Sequence, residues 1–147
     1  MTITLQSSDG ASSLELLDVQ PVGEDFGCTM SVQSRGFAGK QRFYFNTAMV
    51  RRFCDDLTML EPTTFQSLGK RLGIVSPADR VRAVLKEDYE PDQLTVWQDE
   101  RLGVCVAGRL MQHGPPRQGL QFSFLTSERA IAAFRQELRR CLEAASK

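Results

Sequence analysis

The phrase "RFCDDL" sets a thiol, Cys54, directly before two carboxylates, Asp55 and Asp56. Those residue types can serve a nucleophile or hold a cation, so they come first. The chain has four cysteines, Cys28, Cys54, Cys105 and Cys141, and a single histidine, His113. No two cysteines stand in a C-x-x-C arrangement, and one histidine cannot complete the paired Cys and His ligands that a zinc site needs. His113 lies in "QHGPPRQG", a Gly/Pro loop, and reads as a solvated loop residue. Each cysteine sits among apolar neighbours, the setting of a small buried hydrophobe with a free thiol. "GKRLG" contains a Gly-Lys pair but lacks the upstream glycine spacing and following Ser/Thr of a phosphate loop, and no G-x-S-x-G elbow occurs. The acidic clusters, Asp55 with Asp56 and Glu87, Asp88, Glu90 with Asp92, read as a solvated helix face and a polar hairpin. Arg135, Arg139 and Arg140 fall toward the end of a C-terminal helix, where the helix dipole favours cations. The expectation is a protein with no catalytic residues, no cofactor and no metal.

Composition narrows the field further. Across 147 residues, 18 basic and 18 acidic side chains cancel, and 41% of the chain is hydrophobic, with a pI near 6.6. That length suits one domain able to bury a substantial core. A neutral chain lacks the basic footprint of a nucleic-acid binder or of a protein that lies on anionic membranes. No apolar run approaches the roughly 20 residues that span a bilayer. "MTITLQSSDG" has neither a basic n-region nor an apolar h-region, so a cytoplasmic location is expected.

The elements that must position any site come in two similar sets. "FYFNTAMVRRFCDDLTML" and "FSFLTSERAIAAFRQELRRCL" both run Phe-x-Phe, a Thr, then an amphipathic helix around a central Phe. At an offset of 80, Ile3 matches Ala83, Leu5 matches Leu85, Leu14 matches Leu94 and Leu16 matches Val96. At an offset of 78, Phe26, Cys28, Met30 and Val32 match Val104, Val106, Gly108 and Leu110. Phe43 and Phe45 then match Phe122 and Phe124, and Phe53 and Leu57 match Phe134 and Leu138. Order, spacing and apolar phase agree across five elements, which indicates a duplication with halves 1–60 and 80–147 joined by a linker, 61–79.

Alternation of apolar residues in "LEL", "CTMSV", "FYF", "LTV", "VCVAGRL" and "FSF" predicts strands. The 3.6-residue period of Val50, Phe53, Leu57 and of Ile131, Phe134, Leu138 predicts helices, with Thr47 and Ser127 as their N-caps. In "SPADRVRAVLKE" the Ser-Pro start suits a helix, while the repeat and the alternation of Val81, Ala83 and Leu85 favour a strand, which we adopt. Pro62 ends the first helix, and Phe65, Leu68 and Leu72 suit a short helical turn within the linker. The fold class is therefore α+β: a tandem ββββα arrangement giving about eight mostly antiparallel strands in one sheet, with both helices packed on one face. The alternation that buries Leu16, Val96, Phe43 and Phe45 turns Leu17, Arg42, Tyr44, Trp97 and Arg109 to the opposite face. Trp, Tyr and Arg are enriched at binding hot spots, so this face is the candidate site for a protein partner or for self-association. The alternative is a small-molecule-binding or enzymatic domain, with its ligand between that open face and segment 61–79.

The stretches "LGVCVAGRL", "LQFSFLTSERAIAAFRQELRRCL" and "FYFNTAMVRRFCDDL" resemble WapI-type bacterial immunity proteins, a family of small bacterial proteins. The shared outline is an apolar alternating strand, a Phe-x-Phe strand, a Thr or Asp cap and an amphipathic helix. It covers most of the chain, and its motifs are structural. The resemblance implies a cytoplasmic protein that neutralises a polymorphic toxin by direct binding, and it brings no binding residues across by position. The neutral charge departs from the strong acidity of many immunity proteins.

Overall fold

In the computed structural model, residues 1–60, 82–87, 93–112 and 118–145 are described. The linker 61–79, with Pro62 and the turn around Phe65 to Leu72, lies outside them, as do Val81, Asp88, Glu90, Asp92, His113 and Gly114.

Among the described residues, eight strands and two helices follow the order ββββα twice. The first unit comprises β1 (Ile3–Gln6), β2 (Ser12–Val22), β3 (Asp25–Ser34), β4 (Phe37–Asn46) and α1 (Thr47–Met59). The second comprises β5 (Arg82–Leu85), β6 (Leu94–Asp99), β7 (Gly103–Gln112), β8 (Gln118–Thr126) and α2 (Glu128–Ala145). The strand reading of the "RAVL" segment thus holds for Arg82–Leu85. Every neighbouring pair of strands is antiparallel, as short hairpin connections dictate. Between β3 and β4 the connection is Arg35-Gly36, both at positive φ (49° and 91°). That is the two-residue turn whose twist matches the flanking strands.

The eight strands form two sheets of four, β1-β2-β3-β4 and β5-β6-β7-β8, rather than one sheet of eight. The reason lies at the junction: the chain leaves β4 through α1, and α1 packs against β5. Met49, Arg52 and Asp56 of α1 line a cleft of about 220 Å³ with Arg82, Val84 and Lys86. The edge of the second sheet therefore meets a helix instead of a strand. In the first sheet the edge strand β1 likewise packs against a helix, α2. A helix beside an edge strand is one way a fold discourages pairing with other chains. The helices also contact each other, and Arg139 donates to Asp55 Oδ1 and to Thr58 Oγ1, both at 3.2 Å.

One cluster of buried apolar side chains runs through both units. The residues expected inside from alternation are inside: Leu14, Leu16, Cys28, Met30, Phe43 and Phe45, with Leu94, Val96, Val106, Phe122 and Phe124 in the second sheet. Phe53, Leu57, Phe134 and Leu138 press in from the helices. Phe43 and Phe45 stack at 5.3 Å between ring centroids, Phe122 and Phe124 at 6.4 Å. At the sheet–sheet contact, a Cβ placed on Gly39 of β4 would stand 3.0 Å from Leu120 and 3.2 Å from Leu110. Nearby, Gln41 Oε1 accepts the Met111 N–H at 2.6 Å.

Residue-by-residue equivalence of the units holds for the first hairpin and fails beyond it. Leu5 pairs with Leu14 as Leu85 pairs with Leu94. Leu16, however, stands opposite Met30 while Val96 stands opposite Val106, and Cys28 faces Phe43 while Val106 faces Phe124. Both ladders are slipped by two residues relative to the sequence match. A slip of two keeps every side chain on its own face. The slip sets Phe122 opposite Gly108, where the ring occupies the space a side chain on Gly108 would need.

At the start of α1 the cap is Asn46, not Thr47: Asn46 Oδ1 accepts the Ala48 N–H at 2.9 Å. Thr47 is the first helical residue, and its hydroxyl donates instead to Glu24 O at 2.8 Å, tying the helix to the β2–β3 turn. Asn and Thr both suit an N-cap; the extended φ/ψ that the position needs falls at Asn46. For α2 the Ser127 cap is as expected, its Oγ accepting the Ala130 N–H at 3.0 Å.

Candidate functional site

Division into two sheets separates the five candidate residues into two groups. Leu17, Arg42 and Tyr44 lie on the outer face of the first sheet, and Trp97 and Arg109 on the outer face of the second. In the first group Leu17, Thr29 and Arg42 form one cross-strand row. The Arg42 guanidinium lies 5.3 Å from the Tyr44 ring centroid and donates to Asp18 O at 3.2 Å and Thr29 Oγ1 at 3.5 Å. Asp18 sits at φ 50° within the bulge that interrupts the β2–β3 register after Leu17. Arg42 thus holds a left-handed residue in place across the sheet. It does so by lying over Gly27, where a Cβ would be 2.7 Å from Nη2. Tyr44 is exposed, and its backbone N–H is taken by Glu87 Oε2 at 3.1 Å. Much of the polar capacity of this group serves the fold itself.

The second sheet presents three rows across β6, β7 and β8. The first is Trp97, Cys105 and Leu125, the second Thr95, Ala107 and Ser123, the third Arg109 and Gln121. The first row floors a groove of about 460 Å³ whose walls are Leu102 from the β6–β7 turn and Ser8, Asp9 and Arg35 from turns of the first sheet. Leu102 is 61% exposed and Leu125 40%, while Trp97 is half-buried. The Arg82 guanidinium sits 5.8 Å from the Trp97 ring centroid. Through Ser123 the groove continues into an open depression of about 700 Å³ lined by the second and third rows.

The first-sheet wall is held firmly. Ser8 N donates to Leu125 O at 2.8 Å, and Thr126 Oγ1 to Gln6 O at 2.7 Å. Asp9 Oδ1 accepts the Ser7 hydroxyl at 2.6 Å and the Ala11 N–H at 3.0 Å, and Arg35 stands 3.6 Å from its other oxygen. The Ser7 hydroxyl bond, followed by the Ala11 amide, holds the Asp9 carboxyl below the usual carboxylate range.

The thiols are poised against nucleophilic work. All four cysteines are free and buried. Burial pushes Cys28 up to about 12 and Cys54 up to about 11, and it raises Cys105 and Cys141 as well. A thiol held protonated is a weak nucleophile and a poor metal ligand. The carboxylates beside Cys54 face outward into ion pairs, Asp55 with Arg139 and Asp56 with Arg52 at 4.0 Å. Among the described residues, no three His, Cys, Asp or Glu side chains are placed to hold a metal ion, and no helix is long and apolar enough to cross a membrane.

Of the sequence candidates, only Trp97 lines the apolar groove and only Arg109 lines the adjoining depression. Leu102, Cys105 and Leu125 were not among them. Leu125 follows Phe124 and so points outward by simple alternation, and Leu102 is an apolar residue in the polar turn "DERLG"; both signals were readable. Asp9 and Arg35 belong to the other unit, and no pattern along the chain places them beside Trp97. Neither a protein-family model nor a curated protein matches the chain.

Proposed function

We propose that the protein is a non-enzymatic binding module that seats a protein partner on the outer face of the second sheet, with Trp97 as its anchor. The observation that carries this reading is the collection of Trp97, Leu102, Leu125 and Cys105 around one groove. Two of these apolar side chains stand largely or substantially in water. Large apolar groups gathered in a concavity and rimmed by polar residues mark interaction sites, and a partly buried Trp is a frequent hot spot. The resemblance to WapI-type immunity proteins supports the narrower form: a cytoplasmic immunity protein that neutralises a bacterial toxin by direct binding. Its stretch "LGVCVAGRL" comprises Leu102 and most of β7, which line the groove and the depression.

Wild-type protein and Trp97→Ala serve as paired baits in the native host. The wild type retains a discrete partner, and Trp97→Ala loses it by about 30-fold or more, the scale of a hot-spot residue. The melting temperature changes by less than about 3 °C, since a half-buried surface ring contributes modestly to stability in a chain this size. Equal retention by both baits, or a melting temperature lowered by more than about 6 °C, would make Trp97 a packing residue and refute the reading.

A further inference from the structure

The outer face of the second sheet specifies what kind of segment it receives. Its three rows differ in chemistry: apolar at Trp97, Cys105 and Leu125, small at Thr95, Ala107 and Ser123, and cationic at Arg109 beside Gln121. Among the described residues, none that lines the depression around Arg109 is acidic. Among the described residues Arg109 makes no ion pair, unlike Arg35, Arg52, Arg139 and Arg140. It is also half-buried, so part of its charge is already out of water and an incoming anion has less solvent to displace. Among the described residues lining the apolar end, Asp9 is the one carboxylate, and it is engaged by Ser7, Ala11 and Arg35. The charge presented to a partner along β7 is therefore positive at one end only.

We infer that the occupant is a partner-protein segment carrying an apolar anchor and an acidic side chain, the acid seated on Arg109 and the anchor against Trp97. This rests on the protein-binding reading and adds to it the partner's chemistry and spacing. Cys105 and Arg109 are four residues apart on one strand, which sets anchor and acid about 13 Å apart. An extended segment along β7 spans that distance in about four residues, a helical one in about nine. The small middle row lets the backbone of either approach closely between the two anchors.

The test is selection of a random peptide library displayed on phage against the folded protein in its wild-type, Trp97→Ala, Arg109→Glu and Arg109→Lys forms. Matched circular dichroism and melting temperatures establish that each variant folds. Peptides recovered on the wild type are expected to pair an aromatic or large aliphatic residue with Asp or Glu at one of the two spacings. Their affinity falls by about tenfold on Arg109→Glu, survives on Arg109→Lys and weakens with added salt. Reselection on Arg109→Glu is expected to enrich Lys or Arg where the acid stood. Peptides that need Trp97 but ignore Arg109 would overturn the acidic specificity while leaving a protein-binding face in place. Peptides that bind Trp97→Ala as well as wild type would overturn both. A wild-type dimer in solution that Arg109→Glu and Trp97→Ala dissociate would assign the face to a second copy of the chain and overturn the proposed occupant.

Discussion

Replacing Gly108 by alanine adds one methyl group on the inner face of β7, where the structure leaves no room for it. The new Cβ would overlap Gln93 O and the Phe122 Cζ, and it would lie 2.8 Å from Phe122 Cε1. Overpacking of this kind costs about 1–3 kcal/mol. Gln93 O cannot retreat freely because it accepts the Arg109 N–H at 3.0 Å, and loosening that bond adds about 1 kcal/mol. Removing a glycine from a strand returns about 0.5–1 kcal/mol. The net expectation is a destabilisation of about 1–3.5 kcal/mol. With a urea m-value of about 2 kcal/mol/M, the unfolding midpoint falls by about 0.5–1.8 M. Gly119→Ala is the control: its added Cβ meets only Met111 Sδ at 3.1 Å and Leu110 O at 3.7 Å. A thioether end swings aside readily, so this variant is expected within about 0.5 kcal/mol of wild type. Shortening the ring with Phe122→Leu in the Gly108→Ala background is expected to cost less than the two single changes combined, because each change makes room for the other. If Gly108→Ala leaves the midpoint unmoved, or if Gly119→Ala harms as much, the tight packing of Phe122 over Gly108 is not what a side chain at position 108 meets.

Two other perturbations test the local chemistry. Asn46→Ala removes the α1 cap and is expected to cost about 1 kcal/mol, lowering the melting temperature by about 2–4 °C; no change would return the cap to another group. Stability against alkali tests the buried thiols. Cys28 and Cys54 are raised from 9.0 to about 12 and about 11, so above pH 9 the unfolded chain releases protons that the native state keeps. Their contribution is fully present below pH 9 and is lost as pH rises toward those values, by up to about 1.4 kcal/mol per pH unit for each thiol. Urea midpoints measured upward from pH 8 should show this decline, and Cys28→Ala should flatten it; an unchanged slope would exclude that thiol as a cause.

The faces of the strands were readable from the sequence because the side-chain period along a strand is two and the core side is strongly apolar. The same period hid the register: sliding Val96 from Gly108 to Val106, or Val106 from Phe122 to Phe124, buries the same residues. In the observed register the Phe122 ring sits over Gly108, a fit of three-dimensional packing that the period cannot express. The two-sheet division is not legible along the chain for a related reason. Alternation in β4 and β5 shows that each is a strand, but not that α1 takes the place beside β5. The candidate face inherited this error. Leu17 and Trp97 occupy matching repeat positions, yet the sheets that carry them are different, so Trp97 gained neighbours from distant turns, Asp9 and Arg35, that no periodicity could supply.

The crossed placement of the helices, α1 on β5 and α2 on β1, has a consequence for how the molecule holds together. A lone ββββα unit would leave one edge strand bare and have no second sheet for its helix to lie against. Two such units satisfy each other by trading helices, so the chain has the geometry of an exchanged dimer whose two subunits have been fused end to end. Fusion replaces a concentration-dependent association with a permanent neighbour. A cut between residues 60 and 82 would give two fragments whose native state depends on finding each other.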